Sequence, residues 1–372
     1  GDPLRLVLVG AGEMGRAWIS AVTANPDVVL VGLVDLDMPL AERALAGAGL
    51  ADVVVGTSVS AVATQTGAHA VINVTVPAAH HPVNVEAMFA GLPVLCEKPV
   101  APTVAQALSL AGAAEASGQL LMISQSRRYF RGIRAFRDQV GTLGTLGLAE
   151  TSFYKAPHFG GFREQMEHVL LIDMAIHAFD AARYVLGSEP ISVYCEEHNP
   201  AWSWFRDGAA AAAIFEFDGG VRYTYTGSWC SDGLATSWNG AWRVSGARGS
   251  ASWNGDDAPT VQWADAEPVT ADLQRDYAGE EEIRGSLVEF VQALRTGIVP
   301  SGEAHANVRS LAMVEAAIRS AETGVRVRID DVLEEAYRAA VASEGRDDVR
   351  ARLKAWGSAR EGLAAGGLAE AG

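Results

Sequence analysis

The chain has 372 residues, of which 49% are hydrophobic and 20% are charged. This length favours two domains, and the composition is that of a globular protein and not of a disordered one. The formal net charge of −16 argues against binding to nucleic-acid phosphates or to an anionic membrane surface. No apolar run reaches the roughly 20 residues that span a bilayer.

The three cysteines, Cys96, Cys195 and Cys230, have neither CxxC spacing nor the pattern of a metal site. We therefore expect no disulfide framework and no bound metal. No charged segment followed by an apolar segment precedes the first apolar run, so a cytoplasmic location is expected. Gly1-Asp2-Pro3 leaves a removed export signal open as the alternative.

The first 125 residues alternate short apolar segments with helical stretches. Nearly continuous Val, Leu and Ile indicate strands that are buried on both faces, as in a parallel sheet. Thr103 and Gln106 have capping-box spacing, and Gly118 stands where that helix would end. The pattern predicts a Rossmann, doubly wound α/β domain over residues 1–125. Its predicted strands are 4–9, 28–34, 53–55, 70–74, 93–96 and 120–124.

The pattern changes after about residue 128. Strand-like segments with a hairpin turn at Asp218-Gly219-Gly220 predict an α+β substrate and oligomerisation domain over 126–330, with a largely antiparallel open sheet. Residues 331–372 are rich in Ala, Glu and Arg and are predicted to form a helical C-terminal extension. The predicted strands are 210–217, 221–229 and 242–245, and the predicted helices are 168–186, 283–295 and 307–323.

A glycine motif follows the first predicted strand. Gly10-Ala11-Gly12-Glu13-Met14-Gly15 has the GxGxxG spacing, in which the glycines allow a tight turn and close approach to a pyrophosphate at a helix N-terminus. Asp35 lies twenty positions after Gly15, at the end of the second predicted strand. A carboxylate there accepts hydrogen bonds from a ribose 2′-hydroxyl and repels a 2′-phosphate. The sequence therefore predicts an NAD cofactor in preference to NADP.

Three polar residues share one face of the helix predicted over 168–186. Asp173, His177 and Asp180 stand at i, i+4 and i+7 among Val, Leu, Ile, Met and Ala. Polar groups on such a face need partners or a cavity, which is typical of a buried structural network or of a catalytic site. Lys98, directly after a strand of the doubly wound domain, favours the catalytic site because ligands bind at the carboxyl ends of such strands.

These features stand in order along the chain, together with Glu97-Lys98-Pro99 after a strand and with Pro77 and His81 before it. The set resembles the glucose–fructose oxidoreductase/inositol 2-dehydrogenase (Gfo/Idh/MocA) family over about residues 4–329. Where relatives often carry a glycine-rich turn, this chain has Glu167-His168-Val169, so the substrate pocket is expected to differ there. The cofactor contacts that the resemblance implies are Gly10, Gly12, Glu13, Met14, Gly15, Asp35, Thr75, Pro77, His81, Glu97 and Lys98.

The resemblance also implies a catalytic trio of Lys98, Asp173 and His177. In alcohol oxidation a hydroxyl loses its proton as its carbon gives up hydride to the nicotinamide. His177 is the expected general base, Lys98 the expected cation that stabilises the alkoxide, and Asp173 the group that orients one of them. Because the lysine must turn away from its strand within one residue, the Lys98–Pro99 bond is predicted to be cis, against a frequency of about 5–6% for X–Pro bonds.

The expected substrate is a sugar, a glycoside or a cyclic polyol. Seven of the nine tryptophans lie between Trp202 and Trp263, where their rings would stack on a sugar, pack a sheet or form a subunit interface. Several of the candidate contacts are also typical of solvated loop positions. The candidate substrate contacts are Lys98, Arg128, Lys155, His158, Arg163, His168, Asp173 and His177.

Two other functions stay open at this point: an NAD(H)-binding regulator without catalysis, and a reductase of an imine or a dihydrodiol. The intact trio argues against the regulator.

Helices in the second half are too few to cover both faces of the predicted sheet. A homodimer or homotetramer that forms through this sheet is therefore expected.

Overall fold

The computed structural model describes residues 1–364 and divides the chain into two compact units. The first unit contains residues 1–126, 280–308 and 333–364, and the second contains 127–279 and 309–332. This division differs from the predicted domains, because 280–308 and 333–364 both belong to the first unit. No helix in the described part of the chain is long and apolar enough to cross a membrane.

The first unit is built on a parallel sheet. Its strands are β1 (Leu4–Val9), β2 (Val28–Val34), β3 (Val54–Gly56), β4 (Ala70–Asn73), β5 (Val94–Glu97) and β6 (Leu121–Ser124). They lie in the order β3-β2-β1-β4-β5-β6, which reverses beside β1 as in the doubly wound nucleotide-binding fold. Leu6 and Leu8 of β1 are fully buried, as the apolar run predicts. The predicted Rossmann fold is confirmed.

Helices α1 to α5 connect these strands, and later segments add further helices to the unit. Thr103 caps α5 by accepting a hydrogen bond from the backbone N–H of Gln106, and Gly118 ends it in the left-handed conformation, as predicted. Helices α10 and α11 have residues in both units. The helices are α1 (Glu13–Ala24), α2 (Met38–Gly47), α3 (Val59–Thr66), α4 (Pro77–Phe89), α5 (Val104–Ser117), α9 (Glu282–Thr296), α10 (Ala304–Thr323), α11 (Ile329–Ser343), α12 (Asp347–Trp356) and α13 (Ala359–Ala364).

The segment predicted as a helical C-terminal extension forms helices α11 to α13, of which α12 packs on α5. Val349 and Leu353 of α12 are buried against Gly112 of α5, where a Cβ would lie 3.0 Å from the Leu353 Cδ2 atom. Trp356 Nε1 donates to both carboxylate oxygens of Glu115 on α5, at 3.0 Å each. Apolar burial thus holds α12 on the first unit. The Gly-rich end, 365–372, lies outside the described residues.

The second unit is built on a mixed sheet. Its strands are β7 (Leu146–Tyr154), β8 (Pro190–His198), β9 (Ala210–Phe217), β10 (Arg222–Ser228), β11 (Ala241–Gly246), β12 (Gly249–Trp253), β13 (Thr260–Trp263), β14 (Val269–Thr270) and β15 (Val327–Arg328). Their order is β14-β13-β12-β11-β7-β10-β9-β8-β15, and the β7–β10 pair is parallel while its other pairs are antiparallel. The predicted largely antiparallel sheet is confirmed. Its helices are α6 (Arg131–Val140), α7 (Ile176–Leu186) and α8 (Leu273–Asp276).

Candidate active site

The glycine loop between β1 and α1 uses its three glycines in two ways. Gly10 has a φ of 107°, and a Cβ there would lie 2.8 Å from the Val74 carbonyl oxygen. A Cβ at Gly15 would clash with the Gly10 carbonyl oxygen, so backbone packing requires glycine at both positions. A Cβ at Gly12 would meet no atom of the described residues within 4 Å. Gly12 thus opens space at the α1 N-terminus, which suits a dinucleotide pyrophosphate.

Asp35 lies beside this loop, as predicted for a ribose contact. Its Oδ2 accepts a hydrogen bond from the Ala11 N–H at 2.8 Å, and its Oδ1 accepts one from the Asp37 N–H at 2.8 Å. Each carboxylate oxygen can accept a second hydrogen bond. The loop and Asp35 together fit the adenosine half of NAD. Glu13 and Met14 stand in the first exposed turn of α1 behind them.

The end of β5 carries Glu97 and Lys98. Trp18 Nε1 donates to Glu97 Oε1 at 2.8 Å, and the Lys98 N–H donates to Glu97 Oε2 at 3.2 Å. Burial raises the pKa of Glu97, although the Trp18 hydrogen bond and the Lys98 charge oppose that shift. The Lys98–Pro99 bond is cis, which confirms the prediction. Glu97 therefore ties α1 to the turn that presents Lys98.

His80, which the sequence pattern did not indicate, supports the same turn. Its Nδ1 lies 2.7 Å from the Pro99 carbonyl oxygen and its Nε2 lies 3.0 Å from the Thr75 carbonyl oxygen. Burial lowers the pKa of His80 and Lys98 lowers it further, against the two carbonyl contacts. His81 instead contacts Ser109 of α5, with Nε2 2.9 Å from Oγ. Thr75, a predicted cofactor contact, thus lies beside the turn that presents Lys98, while His81, another predicted cofactor contact, faces α5.

A helical signal in α4 could have found His80. Pro77 begins the helix, and the buried residues that follow, His80 and Asn84, stand four positions apart on one face. Asn84 Oδ1 accepts a hydrogen bond from Asn73 Nδ2 of β4 at 2.8 Å, so this face points at the sheet. The position of each histidine relative to the start of the helix therefore indicates that His80, and not His81, faces the sheet.

In the second unit, α7 follows a π-helical turn, Leu170–Ala175, where the sequence predicts a regular helix. Asp173 lies on this turn, and its Oδ2 accepts from Arg163 Nε at 2.9 Å. The Arg163 guanidinium lies over the Phe159 and Phe162 rings, 5.1 and 5.0 Å from their centroids. Widened turns of this kind are frequent at functional sites. The structure thus brings two of the predicted site residues, Asp173 and Arg163, together.

His177 lies in the first turn of α7 and lines a small cavity of the second unit. Three of the clustered tryptophans, Trp238, Trp242 and Trp253, line the same cavity. Polar groups there come from Arg127, Thr151, Tyr225 and Asn239. The imidazole therefore faces a largely aromatic space that contains a few polar groups, which is the usual composition of a small-molecule site.

Asp180 has a structural role. Arg128 donates to both of its oxygens at 2.7 Å, and Ser310 Oγ donates to Oδ1 at 2.6 Å. The Asp180 and Arg128 side chains are 1% and 3% exposed. Burial alone raises the pKa of Asp180, but the Arg128 charge and hydrogen bonds outweigh it and hold the pKa below its ordinary value. Arg128 is bound inside this network, so the geometry gives no support to its predicted substrate contact.

Known family models match both halves of the chain. Residues 4–125 match the oxidoreductase family with an NAD-binding Rossmann fold, and residues 137–252 match the GFO/IDH/MocA C-terminal domain. The chain belongs to the Gfo/Idh/MocA family. Its cofactor is NAD, as predicted from the glycine loop and Asp35.

Relatives of this Gfo/Idh/MocA protein include named dehydrogenases. It is 29% identical over 343 residues to an inositol 2-dehydrogenase of Streptomyces avermitilis, covering 88% of this chain and 94% of that one. It is 31% identical over 196 residues to a D-glucoside 3-dehydrogenase of Escherichia coli, covering 50% and 55%. An oxidoreductase from Agrobacterium radiobacter, solved with NAD⁺, L-tartaric acid and magnesium, has the same fold, with a TM-score of 0.80 at 19% identity and coverage of 89% and 99%.

The remaining predicted substrate contacts of this Gfo/Idh/MocA protein have different surroundings. Lys155 Nζ lies 4.9 Å from the centroid of the Trp238 ring, which also lines the His177 cavity. His158 stacks on Trp204 at 3.7 Å between centroids. His168 has a φ of 52°, in the region that favours glycine, and contacts carboxylates. Lys155 is thus placed near the cavity, while His158 and His168 have other partners.

Proposed function

We propose that this protein is an NAD-dependent oxidoreductase that transfers hydride between nicotinamide and a secondary hydroxyl or ketone of a sugar, a glycoside or a cyclic polyol. The observation that carries the proposal is His177 in an aromatic cavity, on the same helical segment as the oriented carboxylate of Asp173. The inositol and glucoside dehydrogenases among the relatives support this substrate class.

The proposed mechanism assigns one role to each side chain. Bound NAD supplies the hydride acceptor. His177 takes the proton of the substrate hydroxyl, and in the reductive direction it returns that proton to the ketone oxygen. The Lys98 ammonium stabilises the negative charge that develops on this oxygen. Asp173, which Arg163 holds in place, orients His177 or Lys98.

The aromatic rings bear on the choice of substrate. Trp238 and Trp242 border the His177 cavity, and aromatic faces stack on the C–H surfaces of sugars and inositols.

The Asp35 carboxylate favours NAD over NADP because it repels a 2′-phosphate. The predicted homodimer or homotetramer through the sheet of the second unit remains a prediction, which light scattering tests.

A substrate panel tests the proposal. Wild-type protein and a His177→Ala variant are incubated with NAD and with inositols, aldoses, anhydrosugars and glycosides, and NADH absorbance is followed. We expect turnover of at least one polyol or sugar by the wild type and a loss of that turnover in the variant. Tight NAD binding without turnover across the panel would instead identify a regulator. A separate arm of the panel supplies NADH with imines and dihydrodiols, and turnover restricted to that arm would identify a reductase.

A further inference from the structure

A second cluster of polar side chains in the second unit has no part in the proposed hydride transfer. His168 Nδ1 lies 2.6 Å from Glu197 Oε1 on β8, and its Nε2 lies 3.2 Å from Glu322 Oε1 on α10. The His168 backbone N–H donates to Asp207 Oδ2 at 3.2 Å. One imidazole therefore lies among three carboxylates that come from separate parts of the chain.

The ligand atoms of this cluster converge. One atom each from His168, Glu197 and Asp207 lies within 4.8 Å of the other two. Bonds of about 2.0–2.2 Å to a central metal ion place ligands about 3–4 Å apart. The 2.6 Å between His168 Nδ1 and Glu197 Oε1 is shorter than this, so these two side chains must part by roughly an ångström to admit an ion.

One oxygen of the cluster is buried and unsatisfied. Glu197 Oε2 has no hydrogen-bond partner among the described residues, although the Glu197 side chain is only 7% exposed. This oxygen lies beside Gly208, where a Cβ would be 2.7 Å from it and 2.9 Å from the His168 Cα. Gly208 thus allows Glu197 and His168 to meet closely. An unpaired buried carboxylate oxygen is costly and calls for a ligand.

The charge of the cluster is unbalanced. Glu197, Asp207 and Glu322 are three carboxylates, and His168 supplies at most one positive charge. A divalent cation would offset the excess negative charge that this half-buried position accumulates.

Glu322 has the position of an outer-sphere partner. A metal-bound histidine commonly donates its second ring N–H to a carboxylate, which fixes its tautomer and its orientation. A metal ion bound at Nδ1 would displace the proton that lies between His168 Nδ1 and Glu197 Oε1, and would leave Nε2–H directed at Glu322 Oε1. This is the tautomer that a metal ion would require.

We propose that His168, Glu197 and Asp207 bind a first-row divalent metal ion, with Zn²⁺ as the best match, while Glu322 orients the histidine. One imidazole nitrogen with carboxylate oxygens suits Zn²⁺ and, less strongly, Mn²⁺. The ion ties the residues before the Leu170–Ala175 turn to β8. Because His168 stands 29 positions from Glu197 and 39 from Asp207, no local spacing in the sequence predicts the site.

Metal titration of tag-free, chelator-treated protein tests this site. We expect calorimetry and elemental analysis to give one Zn²⁺ per chain and thermal melts to show stabilisation by the ion. Glu197→Gln should weaken Zn²⁺ binding by about 100-fold or more, and Glu322→Gln by about 10–100-fold. Affinity should rise from pH 6 to pH 8, because His168 must be deprotonated to bind the ion. Glu196→Gln, an exposed neighbour on the same strand, should bind like the wild type.

A second variant guards against misfolding of Glu197→Gln. Asp207→Asn keeps an oxygen that can accept from the His168 N–H, removes the charge, and should also weaken binding by about 10-fold or more. Failure of the wild type to bind Zn²⁺ or Mn²⁺ would overturn the proposal. Equal Zn²⁺ affinity of the Glu196→Gln and Glu197→Gln variants would also overturn it. So would His168 NMR signals whose pH titration is the same with and without saturating Zn²⁺. None of these measurements depends on the proposed dehydrogenase activity.

Discussion

The glycine loop of the first unit and the helical segment 170–186 of the second both carry candidate site residues, yet they are held in place differently. The loop is shaped by contacts of backbone with backbone, such as the packing of Gly15 on the Gly10 carbonyl. The helical segment is held by side chains whose partners lie elsewhere in the chain. Asp173 contacts Arg163, and Asp180 contacts Arg128 and Ser310.

This difference shows which sites a sequence discloses. A site made by backbone needs glycines at set spacings, so the spacing itself is the signal. A site made by side chains depends on hydrogen-bond and ion-pair partners that are distant in the sequence, and a local pattern does not indicate these partners. Asp173 and Asp180 both fit the polar face of one predicted helix. In the structure Asp173 lies on a π-helical turn, while Asp180 is buried in an ion pair with Arg128.

The largest expected effect separates these two acids by stability. Asp180→Ala should lower the free energy of unfolding by about 3–5 kcal/mol, because it leaves the Arg128 charge buried without its partner. Asp173→Ala is the matched variant, and it should cost much less because its ion pair with Arg163 is 19% and 39% exposed. Urea denaturation of both variants checks this. Equal destabilisation would erase the distinction between the two acids.

Acid pH should reveal the same buried pair. The Asp180 pKa is held below its ordinary value of 3.8, so its stabilising contribution is present above that value. The contribution is lost as pH falls through the lower pKa of the folded state. The stability gap between wild type and Asp180→Asn should therefore narrow below about pH 4 and stay constant between pH 5 and pH 7.

The second prediction concerns chemistry. His177→Ala and Lys98→Ala should each lower kcat by about 100-fold or more and leave the Kd for NAD nearly unchanged. Substrate oxidation by the wild type should become faster as pH rises, because the general base must lose its proton. This rise should vanish in His177→Ala. His198→Ala, which removes an exposed histidine of the same unit, is the control and should retain full activity. A well-folded His177→Ala variant with near-normal kcat would mean that the active site is elsewhere.

The third prediction tests the backbone-made site. Gly15→Ala places a Cβ against the Gly10 carbonyl, so it should lower both Tm and NAD affinity. Gly12→Ala meets open space, so it should keep the wild-type Tm and still weaken NAD binding by about 10-fold or more, since the methyl enters the pyrophosphate path. Thermal melts and NAD titrations decide the matter. Unchanged NAD affinity in Gly12→Ala would argue against cofactor binding at this loop.

The smallest expected effect is on stability and concerns a side-chain network in the first unit. His305 is buried, with Nδ1 2.7 Å from Glu303 Oε1 and Nε2 2.8 Å from Glu115 Oε1. Burial lowers the pKa of His305, but the two carboxylates outweigh it and raise the pKa above 6.5. Its stabilising contribution is therefore full below pH 6.5 and is lost as pH rises through the raised value.

Unfolding at two pH values measures that contribution. The stability gap between wild type and His305→Gln should be larger at pH 6 than at pH 9. His198→Gln, which replaces an exposed histidine, is the control. A gap for His305→Gln that is equal at both pH values would mean that the histidine is not held as an imidazolium.

The sequence alone predicts a large part of this protein. The strand predicted at 210–217 matches β9, and the glycine motif, the placement of Asp35 and the cis Lys98–Pro99 bond are as expected. The sequence analysis missed His80, because a local pattern does not say which of two adjacent histidines the helix turns toward the sheet. The composition of the C-terminal segment likewise does not show that α12 fits against Gly112.

The doubly wound NAD-binding fold and the order of its motifs follow from the amino-acid sequence. Short-range rules set these: strands buried on both faces are continuously apolar, and tight turns need glycine. The surroundings of each polar residue follow from the folded structure. Arg128 meets Asp180 across 52 positions and His168 meets Glu197 across 29. Burial and charge pairing depend on such distant neighbours, and no periodicity along the chain encodes them.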